Sequence, residues 1–243
     1  MTITKFTYTT PDEEGNTDFG VSVAATNSTE HTIDLIQQKM VFHDKSGLPV
    51  CSSDSEHECD IAPGTSYLCE DAYCGYTKSS LFKGSLEEAQ VSVSTRLCKL
   101  AFVKGPQLDI SSIAMDVRGL SGTFTVGDVL EVSGFSAWLT EPDEDGDYYL
   151  EVRSSFRNLA EQAIPKLCIK ARLIDSRGRE LAESEAAGPL FGGSLGLADF
   201  SIWDVKGKRL DGAQLHFEVS VFTEIATLVT RQVGAAQYDD DWM

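Results

Sequence analysis

The chain has 243 residues, of which 20 are Lys or Arg and 38 are Asp or Glu, so its formal net charge at pH 7 is -18. Nucleic-acid phosphates and anionic membrane surfaces repel a chain this acidic, which argues against direct binding to either. No window holds the roughly 18 consecutive apolar residues of a membrane-spanning helix. The amino terminus also lacks the charged start and apolar run of a signal peptide. We therefore expect a cytoplasmic protein.

An internal repeat organises the sequence. A shift of 131 positions places residues 11–50 on residues 142–181 without a gap. The matches fall on turn residues and apolar positions, which indicates one structural unit that is used twice. The matched pairs include Pro11 and Pro142, Asn27 and Asn158, Ile33 and Ile164, Asp44 and Asp175, and Gly47 and Gly178.

In the first copy the pattern predicts strands over 3–10, 19–23 and 33–43, where apolar residues alternate with polar ones. Pro, acidic residues and Gly over 11–16 predict a turn, and the Asp-Lys-Ser-Gly segment at 44–47 predicts a hairpin. The segment 51–74 is rich in Cys and acidic residues, and we expect an acidic loop there. One further strand is expected over 91–102.

The second copy repeats the scheme. Strands are expected over 129–139, 149–156 and 167–173, with an acidic turn at 142–147 and a hairpin at 175–178. The Gly-rich stretch 188–196 lacks the Lys-Ser/Thr pair of a phosphate-binding loop and predicts a flexible connection. A last strand is expected over 214–222.

These features predict an all-β protein of two tandem immunoglobulin-like β-sandwich domains, related by the internal repeat at offset 131. The first sandwich covers 1–108, including the Cys-containing acidic loop, and the second covers 122–235. A linker at 109–121 joins them, and an acidic tail covers 236–243. Each half is large enough to bury a core of its own, so we expect each to fold alone when the chain is cut near Ser112.

Four of the six cysteines lie within 24 residues, which leaves three interpretations open. They could bind a structural zinc ion, form disulfides, or stay reduced. A reducing compartment favours metal over disulfide, but no pair has the tight Cys-x-x-Cys spacing that makes a zinc prediction strong. We therefore expect either no cofactor or a structural zinc. The candidate zinc ligands are Cys51, Cys59, Cys69 and Cys74.

No nucleophile or metalloprotease motif is present, so we expect a protein that is not an enzyme. The paired acidic turns are the candidate binding elements, although the second lacks the twelfth-position acid of a calcium loop, since Ser154 stands there. An acidic tail that ends near an exposed Trp is a further docking candidate. The candidate binding residues are Asp12, Glu13, Glu14, Asp143, Glu144, Asp145, Asp147 and Trp242.

The composition and repeat favour a protein-interaction module of adaptor, scaffold or inhibitor type, which uses sandwich loops and sheet edges and prefers a basic protein partner. Self-association through a sheet edge is also possible on this pattern. Two alternatives stay open. One is an acidic decoy that blocks a nucleic-acid-binding protein, and the other is a carbohydrate-binding or metal-dependent module at the sandwich-end loops.

Overall fold

The structure is a computed structural model that describes residues 1–109, 118–126, 128–140, 144–145, 148–205 and 214–237. Within these ranges the side chains at 71–76, 101–109, 118–124, 134–139, 148, 198–200, 202–205 and 237 lie outside the description. The described chain is nearly all β strand, as predicted. Its helical segments are the short 3-10 turns Ser79–Leu81 and Leu86–Glu88. None of its helices has the length and apolar character needed to cross a membrane.

The alternation of apolar and polar residues gives strands that bury one face, because successive side chains point to opposite sides of a sheet. The described strands of the first copy are β1 (Thr2–Tyr8), β2 (Asn16–Thr26), β3 (Ile33–His43), β4 (Pro49–Ile61), β5 (Ser66–Lys78) and β6 (Gln90–Asp109). Those that follow are β7 (Arg118–Val126), β8 (Leu130–Leu139), β9 (Tyr148–Asn158), β10 (Ile164–Ile174), β11 (Glu180–Leu190), β12 (Leu195–Val205), β13 (Gln214–Val233) and β14 (Ala236–Gln237).

In the described chain these strands form three sheets. Their orders are β14-β1-β2-β5, β11-β10-β13-β6-β3-β4 and β12-β9-β8-β7. The pairing of β1 with β14 is parallel, whereas β2, β3, β9 and β10 pair with their neighbours in antiparallel register. Strands β4 and β5 follow each other in sequence but lie in different sheets, so the turn at 62–65 takes the chain from one sheet to the other.

The chain divides into two compact units. Unit 1 consists of Met1–Lys99 and Glu224–Met243, and unit 2 consists of Leu100–Thr223. The 20-residue strands β6 and β13 are each divided between the two units. Unit 1 contains the first half of β6 and the second half of β13, and unit 2 contains the other halves. These bounds differ from the sequence-based domains 1–108 and 122–235, whose independent folding stays a prediction.

Each unit has a sandwich-like core, to which strands of two sheets contribute. In unit 1 an aromatic group joins β2 to β3, where the ring centroids of Phe19 and Phe42 lie 5.2 Å apart. Phe82 packs on the same Phe19 ring at 4.9 Å. In unit 2 the buried side chains of β8 and β9 pack against those of β10 and β13, with Phe156 and Phe217 as the largest. The apolar alternation predicted from sequence thus faces these cores.

The internal repeat is visible in the hydrogen bonds of the turns. Asp44 accepts hydrogen bonds from the N–H groups of Ser46 and Leu48, at 2.8 and 3.1 Å. Asp175, 131 positions later, accepts them from the N–H groups of Arg177 and Arg179, at 2.8 and 2.9 Å. The glycines of both turns have positive φ, 84° at Gly47 and 78° at Gly178. Strands β3 and β10, which precede these turns, are related by the same shift of 131.

Three predicted connections are corrected. The acidic loop at 51–74 is not a loop, because β4 and β5 occupy most of it and the connecting turn covers only 62–65. The flexible connection at 188–196 is limited to 191–194, since β11 runs to Leu190 and β12 begins at Leu195. Parts of the predicted linker and tail are also strand, at 118–121 in β7 and 236–237 in β14, and the remainder of both lies outside the described residues apart from Asp109, the last residue of β6.

Candidate binding surfaces at the sheet edges

The first acidic turn is held together by its own aspartate. The carboxylate of Asp12 accepts hydrogen bonds from the backbone N–H of Glu14 at 2.9 Å and from the backbone N–H of Asn16 at 2.8 Å. It also accepts one from the side-chain amide of Asn16 at 3.0 Å. The hydrogen bonds from Asn16, with its side chain first, lower the pKa of Asp12. Asp12 therefore stabilises the turn, and Glu13 and Glu14 are exposed beside it.

The second acidic turn is described only in part. Glu144 and Asp145 lie next to each other in an exposed turn. Asp143, Asp147 and Trp242 lie outside the described residues. The predicted role of these acidic residues in binding stays a prediction.

The four candidate zinc ligands are not brought to one point. Cys51 and Cys59 both lie on the extended strand β4, eight residues apart, which corresponds to about 26 Å. A zinc ion binds thiolates at about 2.3 Å, so one ion cannot bind both. Cys69 lies on β5, and so does Cys74, whose side chain is outside the description. In the part of the chain that the structure describes, no three His, Cys, Asp or Glu side chains are grouped so that they could hold a metal ion.

Cys59 and Cys69 share a small apolar cluster with Ile33, Ile36 and Leu97. The Cys59 thiol donates a hydrogen bond to the carbonyl oxygen of Ile33, with Sγ and O 3.3 Å apart. Burial, with the nearby Cys69 thiol as the next cause, raises the pKa of Cys59 to about 11, and burial also raises the pKa of Cys69. A thiol must be ionised to bind a metal or act as a nucleophile. This pair is thus built as part of a core, and none of the five described cysteines forms a disulfide.

The acidic residues of this segment form a stripe along β4. Asp54, Glu56, Glu58 and Asp60 are exposed, whereas the residues between them are half-buried. Alternate residues on one face of a strand lie about 7 Å apart. Among the described residues β4 pairs only with β3, so it is an edge of its sheet. We call these four carboxylates the β4 acidic stripe.

A second edge feature lies in unit 2, where β11 and β12 are edges of different sheets. Between them an apolar groove of about 210 Å³ opens over four buried core residues. We call it the β11–β12 groove. Its floor is formed by Phe156, Leu167, Ile169 and Leu190, and its sides by Ala186, Ala187, Gly188, Pro189, Gly196 and Leu197.

Large apolar side chains are exposed beside this groove. Leu197, in its wall, is 71% exposed, Phe191 in the adjoining turn is 72% exposed, and Leu195 at the start of β12 is 69% exposed. Contiguous exposed apolar surface of this kind is typical of interaction sites.

Sequence reasoning missed both edge features for identifiable reasons. The sequence shows the acidic residues of 54–60, but the cluster of Cys residues favours an interpretation of this segment as a loop. The alternation of acidic with other residues from Asp54 to Asp60 is the period-two signal that could have predicted β4. The groove has no such signal, because Gly188 and Gly196 become neighbours of one cavity only when two sheets pack.

Comparison with known proteins adds little to these observations. No protein-family model matches the chain, and no curated protein matches it. Among solved structures, 191 chains match. One is a glycosyl hydrolase family 2 member from Bacteroides cellulosilyticus, with a TM-score of 0.26 and 9% sequence identity. The match covers 90% of this chain and only 28% of that one, and at this TM-score it carries no argument about fold or activity.

Proposed function

We propose that the protein is a non-enzymatic protein-interaction module that binds an extended, basic segment of a partner protein along the edge strand β4. The observation that carries this proposal is the β4 acidic stripe, four exposed carboxylates at alternate positions of a sheet edge. An adaptor, a scaffold and an inhibitor would each use such a surface. The finer fold assignment, two tandem immunoglobulin-like sandwiches, belongs to the same proposal.

Corresponding strand pairings support the tandem assignment. In unit 1, β2 lies between β1 and β5, and β3 pairs with β4 and β6. In unit 2, β9 lies between β8 and β12, and β10 pairs with β11 and β13. Equivalent strands therefore have equivalent neighbours in both copies.

A sheet edge binds an incoming strand through main-chain hydrogen bonds, and side chains at alternate positions provide specificity. Residues opposite each other on neighbouring strands have Cβ atoms about 5 Å apart. Lys or Arg at every second position of the incoming strand would therefore face the carboxylates of Asp54, Glu56, Glu58 and Asp60 in turn. The net charge of -18 would also speed the encounter with a basic partner.

Two synthetic peptides of identical composition test this proposal. One has Lys at every second position among Thr residues, and the other has the same residues with the Lys in a block. We expect the alternating peptide to bind at least tenfold more tightly, measured by fluorescence anisotropy at 150 mM salt, because only it matches the stripe. Equal affinities would contradict strand addition, and would favour the acidic-decoy alternative if binding also weakened steeply with salt.

A variant in which three carboxylates of the β4 acidic stripe are replaced by neutral amides tests where the peptide binds. Replacing Asp54, Glu56 and Glu58 by Asn, Gln and Gln should abolish the preference for the alternating peptide. The control replaces three exposed acidic turn residues, Glu13, Glu14 and Glu144, by Gln. It removes the same charge and should leave the preference unchanged. If the control weakens binding as much as the stripe variant, the acidic turns or the overall charge would be responsible instead.

A further inference from the structure

We propose that the β11–β12 groove of unit 2 binds a large apolar side chain of an extended partner segment, with Lys or Arg residues flanking that side chain. This inference rests on the proposed function as an interaction module. It adds a second surface, which differs in chemistry from the β4 acidic stripe.

Two glycines that line the groove stand where unit 1 has larger side chains. In unit 1, Ile36 pairs with His57, and in unit 2 the equivalent Leu167 pairs with Gly188. In unit 1, Ala25 pairs with Tyr67, and in unit 2 the equivalent Phe156 pairs with Gly196. His57 and Tyr67 are half-buried, with polar atoms fully covered.

The dimensions of the groove favour a single side chain over a small-molecule ligand. Its volume of about 210 Å³ is below the roughly 300 Å³ from which clefts hold drug-sized ligands. Its floor consists of side chains no more than 7% exposed, so the hydrophobic surface is fixed in place by the core. Leu197, which also lines the groove, is exposed and extends this apolar surface to the rim.

The charges around the groove indicate the character of the flanking residues. β11 carries Glu180, Glu183 and Glu185 at exposed positions. Glu183 forms an ion pair with Lys170 at 2.7 Å. β10 carries two further cations: Arg172 pairs with Glu218 at 2.7 Å, and the buried Lys166 lies over the ring of Phe222. Exposed Glu183 and Glu185 therefore place negative charge on β11 next to the groove, which complements Lys or Arg beside an apolar anchor.

An extended segment fits this position because both sides of the groove are strand edges. Among the described residues β11 pairs only with β10, and β12 only with β9. A partner strand could hydrogen-bond to either edge while one of its side chains enters the groove. The short turn at 191–194 joins the two edges at one end.

The experiment uses the full chain and a probe peptide with Phe at its centre and Lys at alternate positions on both sides. Two further peptides replace the Phe by Ala, or every Lys by Glu. Amide chemical shifts of ¹⁵N-labelled protein are followed during titration. We expect the Phe peptide to shift the resonances of Gly188, Gly196 and Leu197, and to bind at least tenfold more tightly there than either of the other peptides.

Two variants, one of them with a matched control, test whether the groove is the binding site. Gly188→Val places a side chain in the groove at a position where an added Cβ meets nothing within 4 Å, and it should weaken groove binding at least tenfold. Leu197→Ser removes apolar surface from the rim without disturbing the core, and its control is Leu68→Ser, at the equivalent exposed position of unit 1. We expect Leu197→Ser alone to weaken binding, with unfolding midpoints of both variants close to that of the parent.

The outcomes separate this inference from the proposed function. Shifts confined to β4 resonances, with unchanged affinity in Gly188→Val, would overturn the groove inference and leave the proposed function in place. Groove shifts that survive replacement of the β4 acidic stripe would support the groove as a separate binding surface. Concentration-dependent shifts of the groove resonances without peptide, together with a dimer in sedimentation analysis, would overturn the inference because a second copy would be the occupant.

Discussion

Replacing the buried Asn27 by Ala should strongly destabilise unit 1. Asn27 is fully buried, and its side-chain amide donates hydrogen bonds to the carbonyl oxygens of His31 and Ile61, at 2.8 and 2.9 Å. Its side-chain oxygen accepts hydrogen bonds from the N–H and the hydroxyl of Thr29, at 3.0 and 2.7 Å. One side chain thus joins the turn after β2 to the end of β4.

The size of the destabilisation follows from the hydrogen bonds that the partners of Asn27 lose. Without Asn27, the Thr29 hydroxyl can donate its hydrogen to the carbonyl of His31, 3.0 Å away, whereas the carbonyl of Ile61 loses the donor from Asn27. A buried acceptor without a partner costs roughly 1–3 kcal/mol, and each ordinary hydrogen bond contributes about 1 kcal/mol. We therefore expect the free energy of unfolding to fall by about 3 kcal/mol.

Urea unfolding followed by far-ultraviolet circular dichroism measures this loss. With an m-value of about 2 kcal/mol/M, the midpoint should fall by roughly 1.5 M. Asn16→Ala is the control, because Asn16 makes its side-chain hydrogen bond in an exposed turn, and it should cost less than about 1 kcal/mol. A loss below about 0.5 kcal/mol in Asn27→Ala would refute the reasoning that this side chain fastens the two connections.

Two further predictions follow from the arrangement of the strands and the thiols. A fragment of residues 100–223 should unfold cooperatively in urea. A fragment of residues 1–112 should not, because it lacks the half of β13 that belongs to unit 1. Cooperative unfolding of the 1–112 fragment would support the sequence-based domain bounds instead. Burial raises the pKa of the Cys98 thiol to about 12. At pH 8, alkylation of Cys98 by iodoacetamide should therefore be at least a hundredfold slower in native than in urea-unfolded protein, as measured by peptide mass spectrometry. Equal rates would show that this thiol is not buried.

Much of the local structure could be predicted from the sequence. The strand at 33–43 was predicted with the bounds that the structure gives it, because its apolar residues alternate and an Asp-x-x-Gly hairpin follows. The offset of 131 correctly relates the hydrogen bonds of Asp44 to those of Asp175. These are short-range properties, in which a residue and its near neighbours decide the backbone conformation.

The prediction failed where polar strands have no apolar face to mark them. The segment from Cys51 to Cys59 was interpreted as a loop because its side chains are Cys, Ser, His and acidic residues. In the structure it is an extended edge strand, held by its pairing with β3 from Ile33 to His43. For the same reason Cys51 and Cys59 cannot bind one zinc ion together, since an extended strand keeps them about 26 Å apart.

The sequence by itself determined that the chain is built of strands and where the tight turns fall, because alternation and turn chemistry act over a few residues. Only the tertiary structure decided that β6 and β13 are each divided between the two units. It also decided that β4 and β11 are sheet edges, and that Gly188 and Gly196 leave a groove over Phe156. These features depend on which distant strands become neighbours, and a period-two pattern does not specify its partner.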